Sequence, residues 1–238
     1  MKNQAPKGEG DATRKRGSGV STVYETLRRE IIDLTMPPGT PIDEAQLSER
    51  FALSRTPIRE ALVRLAHENL ITTLTNRATI VSQIDFLNLS SFFDAITLMY
   101  RITTREAAMN RRPQDIARIR DIQSAFAASV DAKAPLDMIA TNRDFHVAIA
   151  EAGGNRYYVE LFTRLLDEGR RILRLYYSSF NDELPRQYVT EHEDMIEAIE
   201  SGDVERADRL ATAHADQIVR QIQSYISADR RQSHAVQL

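Results

Sequence analysis

Only two short runs in this 238-residue chain have the chemistry of β-strands, Ile71-Thr72-Thr73-Leu74 and Thr79-Ile80-Val81. Both are β-branched, and Thr75-Asn76-Arg77-Ala78 between them supplies a turn, so together they read as a hairpin. What precedes the hairpin is helical. Val23, Leu27, Ile31 and Leu34 recur at intervals of three and four, marking one apolar face, and Met36-Pro37-Pro38-Gly39 ends that helix. A short helix near 43–51 turns Leu47 and Phe51 inward. Ser54 then reads as the N-cap of a third helix that buries Ile58, Leu62 and Leu65 and runs to about Asn69. Three helices followed by a hairpin make a winged helix-turn-helix over residues 18–82.

Everything downstream has helical spacing. Six helices are expected near 86–110, 113–132, 135–152, 155–181, 183–201 and 204–228. Pro113 and Pro135 sit in first turns, and Gly153-Gly154 and Ser201-Gly202-Asp203 act as stops. The predicted architecture is therefore mainly α: the winged helix-turn-helix, then an antiparallel six-helix bundle over 83–230. Residues 1–17 form a basic tail with little to bury, expected to be disordered, and 231–238 a loose C-terminal tail.

Composition narrows the function classes. At 42% hydrophobic and 27% charged the chain is ordinary for a globular protein. It has neither a membrane-length apolar run nor a signal-peptide core, which points to the cytoplasm. With no cysteine, disulfides, thiolate metal sites and cysteine nucleophiles are excluded. The net charge of −3 is unevenly spread: residues 1–82 hold 12 Lys/Arg against 10 Asp/Glu, and the remainder 19 against 24. A weakly basic front and an acidic back suit a protein that meets nucleic acid with one end.

The segment from Leu47 to Leu62 carries the sharpest motif. In a helix-turn-helix the N-terminal end of the second helix faces base edges in the major groove, and its backbone amides favour phosphate. That end is Arg55-Thr56-Pro57 here. Arg55 and Arg59 share a face four residues apart, with planar forks able to grip guanine or phosphate, and Thr56 can donate to a phosphate. Arg50 and Arg64 extend the basic surface.

The run Pro37-Pro38-Gly39-Thr40, Leu47-Ser48-Glu49 and Ser54-Arg55-Thr56-Pro57-Ile58-Arg59-Glu60-Ala61-Leu62 resembles the GntR family of bacterial repressors. That resemblance implies a recognition helix contacting DNA through Arg55, Thr56 and Arg59, and a hairpin tip, Asn76-Arg77, entering the minor groove. Ala78 replaces the glycine usual after such a tip, and Ala45 replaces an arginine that some members use on DNA.

In the helical half, His146, His192 and His214 lie on three different predicted helices, each on an apolar face. His192 follows Tyr188 by four and precedes Met195 by three; His214 sits between Leu210 and Ile218; His146 lies beside Phe145 and Ile149. Each buried neutral imidazole needs a partner, and one shared cation serves all three. Asn142, one turn before His146, can add an amide oxygen. Asp144 points about 160° away from His146 on a helix. Glu191 and Glu193, flanking His192, point off the ligand face. Three imidazoles and one oxygen suit zinc, with nickel or another first-row divalent ion as alternatives. This region resembles the FadR branch of the GntR family, with its all-helical, metal-containing effector domain of FCD type. The resemblance rests on Asn142…Phe145-His146, Glu191-His192 and His214, 22 residues beyond His192. Asn142 stands where an aspartate is usual.

The expected protein is a homodimeric repressor, released from a pseudo-palindromic double-stranded operator when a small carboxylate binds near the metal. Arg101, Arg105 and Arg174 are candidates to pair with that carboxylate. Two alternatives stay open: zinc itself as the signal, and, at a distance, a zinc hydrolase. The latter lacks an HExxH motif, a phosphate loop and a serine triad.

Overall fold

The computed structural model describes residues 9–75 and 78–234. The chain divides into two compact units, Met1–Ile84 and Asp85–Leu238.

The first unit is built on α1 (Glu9–Ile32), α2 (Glu44–Phe51) and α3 (Arg55–His67). Val23, Leu27 and Ile31 of α1 are fully buried with Ile58 and Leu65 of α3, because the three-four spacing on each helix lines up one apolar face against the other. Asp43 caps α2, accepting from the Ala45 and Gln46 amides at 2.7 and 3.0 Å. Ser54 does occupy the N-cap position of α3, but its hydroxyl makes no cap bond. The hairpin strands β2 (Ile71–Thr73) and β3 (Thr79–Val81) pair antiparallel with Thr72 opposite Ile80. A strand that the sequence reading missed, β1 (Pro41–Ile42), joins them in the order β1-β3-β2. Gly39 makes this possible: at φ +85 its amide donates to the Val81 carbonyl at 2.9 Å, and a Cβ there would stand 2.8 Å from Gln83 Nε2. The strand is only two residues long, too short for any period-two pattern to register.

Among the described residues the second unit has seven helices rather than the expected six: α4 (Leu89–Asn110), α5 (Pro113–Asp131), α6 (Pro135–Gly153), α7 (Arg156–Glu168), α8 (Arg170–Ser178), α9 (Gln187–Ser201) and α10 (Val204–His234). The helix expected over 155–181 breaks at Gly169, whose ψ relaxes to −6. Glycine also lets Phe92 approach, its Cζ lying 3.0 Å from where a Cβ would be. Phe145, Ile119, Ile149, Met195 and Ile199 form one core among α5, α6 and α9. Tyr100, Phe162, Leu166, Ala211 and Ala215 form another among α4, α7 and α10. At the end of α6, Gly153 allows close approach to α4, where Ala107 N lies 3.3 Å from the position of an added Cβ.

Both predicted tails need correction. Helix α1 extends back to Glu9, into the segment expected to be disordered, and α10 runs on to His234. Once a helix is nucleated by packing, each further residue adds a backbone hydrogen bond at little cost, so apolar content alone places its ends badly.

The capping pattern makes a paired prediction. Asp43→Ala lowers the urea midpoint of the first unit, since two amides lose their acceptor, whereas Ser54→Ala leaves it nearly unchanged. Chemical denaturation followed by circular dichroism measures both.

Candidate metal centre and DNA-binding surface

The first turn of α3 separates two faces. Pro57 and Ile58 turn inward, while Arg55, Thr56, Arg59 and Glu60 are exposed. With Ser54 not capping, the backbone N–H groups at this helix start stay open to an anion. Arg59 donates through Nε to Glu44 Oε2 at 2.8 Å, and its side chain remains 62% exposed. Among the described residues Arg55 has no ion pair, although it helps hold the Asp43 carboxyl low, behind the larger effect of the Gln46 and Ala45 amides. Arg50 and Arg64 are placed differently from the basic extension expected of them. Arg50 forms a two-pronged pair with Glu30 of α1, 2.9 Å on one side. Arg64 lies over the Tyr24 ring, 3.7 Å from its centroid. Both therefore brace the helix-turn-helix against α1. Tyr24 also donates to Glu68, which accepts from Arg28 at 3.0 Å as well; burial and then Glu68 push the Tyr24 hydroxyl up to about 12. Asn76 and Arg77 lie outside the described residues.

In the second unit α6 supplies His146, α9 supplies His192 and α10 supplies His214. All three are at least 95% buried, and their ligand nitrogens lie within 4.8 Å of one another. Aromatic rings fix their orientations. His192 stacks on Phe145 at 4.2 Å and 10°, and Tyr100 stands edge-on to His146 at 4.6 Å. Two hydrogen bonds then decide which nitrogen faces inward. His192 Nδ1 pairs with Gln123 Oε1 at 2.9 Å, and Gln123 is itself anchored by donating to the Val189 carbonyl at 3.0 Å. His214 Nδ1 lies 3.2 Å from Glu191 Oε2. With an acceptor at each Nδ1, the proton sits there and Nε2 presents its lone pair to the cluster.

The remaining atoms test whether these residues fit a cation. His146 Nε2, His214 Nε2 and Asn142 Nδ2 are buried without any hydrogen-bond partner. Two orphaned imidazole nitrogens beside an orphaned amide are costly as they stand and are satisfied together by a metal ion. Turning the Asn142 amide over presents its oxygen in place of its nitrogen. Burial holds His146 and His192 well below the usual imidazole range, and the neighbouring His214 adds to this, so both are neutral, as ligands must be. Beside the cluster lies a small cavity, lined by Asn142, His192 and His214 together with Phe126, Tyr176 and Tyr188.

Residues 19–81 match the bacterial regulatory proteins, gntR family, and residues 92–217 match the FCD domain. The chain belongs to the GntR family, in the branch with an FCD domain. Its GntR relatives include the transcriptional repressor RspR of Escherichia coli, 26% identical over 84% of this chain and 88% of RspR. A probable D-xylose utilization operon repressor of Paenarthrobacter nicotinovorans is also 26% identical, over 86% of this chain and 90% of its own length. The solved structure of E. coli McbR/YncC shares the fold with a TM-score of 0.71, at 21% identity over 87% of this chain and 98% of that one. Family and relatives are transcription regulators, not enzymes, and FCD domains bind metals. Among the described residues no helix is long and apolar enough to cross a membrane.

Three arginines expected near an effector stand elsewhere. Arg101 is exposed and pairs with Asp208 through two bonds of 2.9 Å. Arg105 reaches Glu205 at 3.2 Å and Asp208 at 3.6 Å, and Arg174 bonds Asp182 at 2.7 Å. None of the three lines the cavity beside the histidines. Conversely, Glu191 was expected to point off the ligand face yet buttresses His214, and Gln123 escaped notice altogether. Its place on the apolar helix face of Ile116, Ile119 and Phe126 is the signal the sequence offers.

The depressed imidazoles make a pH prediction for metal-free protein. Because the folded state resists protonating His146 and His192 while the unfolded chain does not, stability is complete above about pH 6.5 and falls as pH drops below it, toward the depressed folded values. Urea denaturation across about pH 5 to 8 reads this directly. His192→Gln, lacking the titrating group, gives a shallower slope.

Proposed function

We propose that this GntR regulator is a homodimeric repressor gated by a small organic anion bound on a zinc ion in the FCD domain. The observation that carries the reading is the buried trio of imidazoles with two orphaned Nε2 atoms and Nδ1 partners on His192 and His214. Three imidazoles and one amide oxygen form a borderline, nitrogen-rich donor set that suits zinc, and nickel next. The ligands would be His146, His192, His214 and Asn142; the ion supplies a positive centre for an anionic effector. The adjoining cavity favours a ligand on the metal over the metal acting alone as signal, because a pure metal sensor needs no such space. Exposed Leu98 of α4 and Tyr157 and Leu161 of α7 offer apolar surface for a second copy. A dimer presents two α3 helices to successive major grooves of a pseudo-palindrome, with Arg55, Thr56 and Arg59 on the DNA and Asn76 and Arg77 as further contacts. Effector binding that favours one arrangement of the two heads releases the operator.

Two measurements test this. With an operator found by selection from random duplexes, Arg55→Ala and Arg59→Ala each weaken binding by about 1–3 kcal/mol in fluorescence anisotropy and leave metal content unchanged. Unaltered affinity for Arg55→Ala removes the docking scheme. His192→Ala loses zinc by elemental analysis while retaining operator binding. If zinc removal and return alone switch the wild-type protein on the operator, the ion is the signal.

A further inference from the structure

The charges around the three histidines limit what kind of anion the cavity accepts. This step rests on the reading above, that an effector binds on the metal. Asn142 and the three imidazoles are neutral ligands, and among the described residues the carboxylate touching the set is Glu191, at His214 Nδ1. A divalent ion together with Glu191 leaves a single positive charge to balance. The cavity wall adds none: its residues include Phe126, Tyr176, Tyr177, Leu184 and Tyr188, and among the described residues no lysine or arginine lines it. Besides the ligand atoms of Asn142 and His214, the polar atom there without a well-formed hydrogen bond is the hydroxyl of Tyr176, a residue 2% exposed whose polar neighbour is Tyr188. One carboxylate satisfies both the ion and that hydroxyl. A second carboxylate would sit among aromatic rings with nothing to compensate it, a severe penalty in such surroundings.

A second, larger pocket says where the rest of the molecule goes. It opens between α4, α8 and α10 and is walled by apolar side chains such as Phe93, Ile96, Val219 and Ile222. Leu173 and Ile218 line both spaces, so these two aliphatic side chains lie at the boundary between them. Tyr100 lines this pocket too, and its ring meets His146 and His214 edge-on at 4.6 and 5.6 Å.

We propose that the effector is a monocarboxylate with an apolar body, its carboxylate on the metal and Tyr176, and its body passing between Leu173 and Ile218 into the apolar pocket. Dicarboxylates and tricarboxylates are excluded by charge, and very short acids bind weakly because they leave the second pocket empty.

The test uses full-length, zinc-loaded protein with propionate, hexanoate, octanoate and succinate as probes, read by thermal shift and native mass spectrometry. Affinity should rise about threefold to fourfold per methylene from propionate to octanoate, with a 1:1 adduct on the zinc-bound species, and succinate should give neither shift nor adduct. Val219→Trp fills the pocket without touching the metal cavity; it should weaken octanoate by about tenfold and leave propionate and zinc content unchanged. Succinate binding as well as octanoate, a flat chain-length series, or octanoate affinity unaffected by Val219→Trp would each overturn the proposal. Zinc content on the same samples separates the failures. If zinc is bound and succinate is preferred, the metal-centred reading survives and the ligand class falls; if no zinc binds, both fall.

Discussion

Three imidazoles are buried where water cannot reach them, and much of the second unit is arranged to make that tolerable. A buried imidazole must be neutral, must have its N–H accepted, and must have its lone pair used. Helices α5, α6 and α9 each contribute to meeting those conditions: Gln123 from α5 takes the His192 N–H, Glu191 from α9 takes that of His214, and Phe145 from α6 holds the His192 ring flat. What stays unmet is the set of inward nitrogens, and that convergent deficit is what a cation answers. Ordinary core packing has no use for it. The hydrophobic clusters on either side keep the local dielectric low, which strengthens the bond to any ion that enters and raises the penalty for any charge it leaves unbalanced.

In the first unit arginine is divided between two tasks. Arg50 and Arg64 tie α2 and α3 to α1 through Glu30 and the Tyr24 ring, so the helix-turn-helix is held as one piece. Arg55 and Arg59 stay on the outer face of the first turn of α3. Exposed arginines on a helix whose supporting groups are locked present their forks with less entropy to lose on binding. The link between Arg59 and Glu44 is solvent-exposed and weak enough to be exchanged for a phosphate or a base.

Much of this was legible in one dimension, and the residues show why. The period of Val23, Leu27 and Ile31 sets the buried face of α1 whatever it packs on. The prolines at 113 and 135 open helices because they occupy first turns, where their missing N–H costs nothing. His146, His192 and His214 could be assigned inward by spacing alone, since helical period relates each to apolar neighbours on its own helix. The break at Gly169 was harder to see: an isolated glycine is tolerated within a helix, and only the approach of Phe92, from another helix, makes it a kink. The two-residue β1 has no pattern of its own and exists because β3 offers a free edge.

The charged side chains mark the boundary between the two kinds of information. Sequence by itself determined most of the helices, the inward histidines and the exposed first turn of α3, because each depends on residues within one or two helical turns. It could not decide where Arg101, Arg105 and Arg174 are spent. Arg101 is claimed by Asp208, 107 positions away, because α4 and α10 pack side by side with those residues opposite each other. In the same way Glu191 supports a histidine on the next helix instead of pointing idly away. A long flexible side chain goes to whichever opposite charge the packed helices bring within reach, and that rotation and register exist only once the tertiary structure has formed.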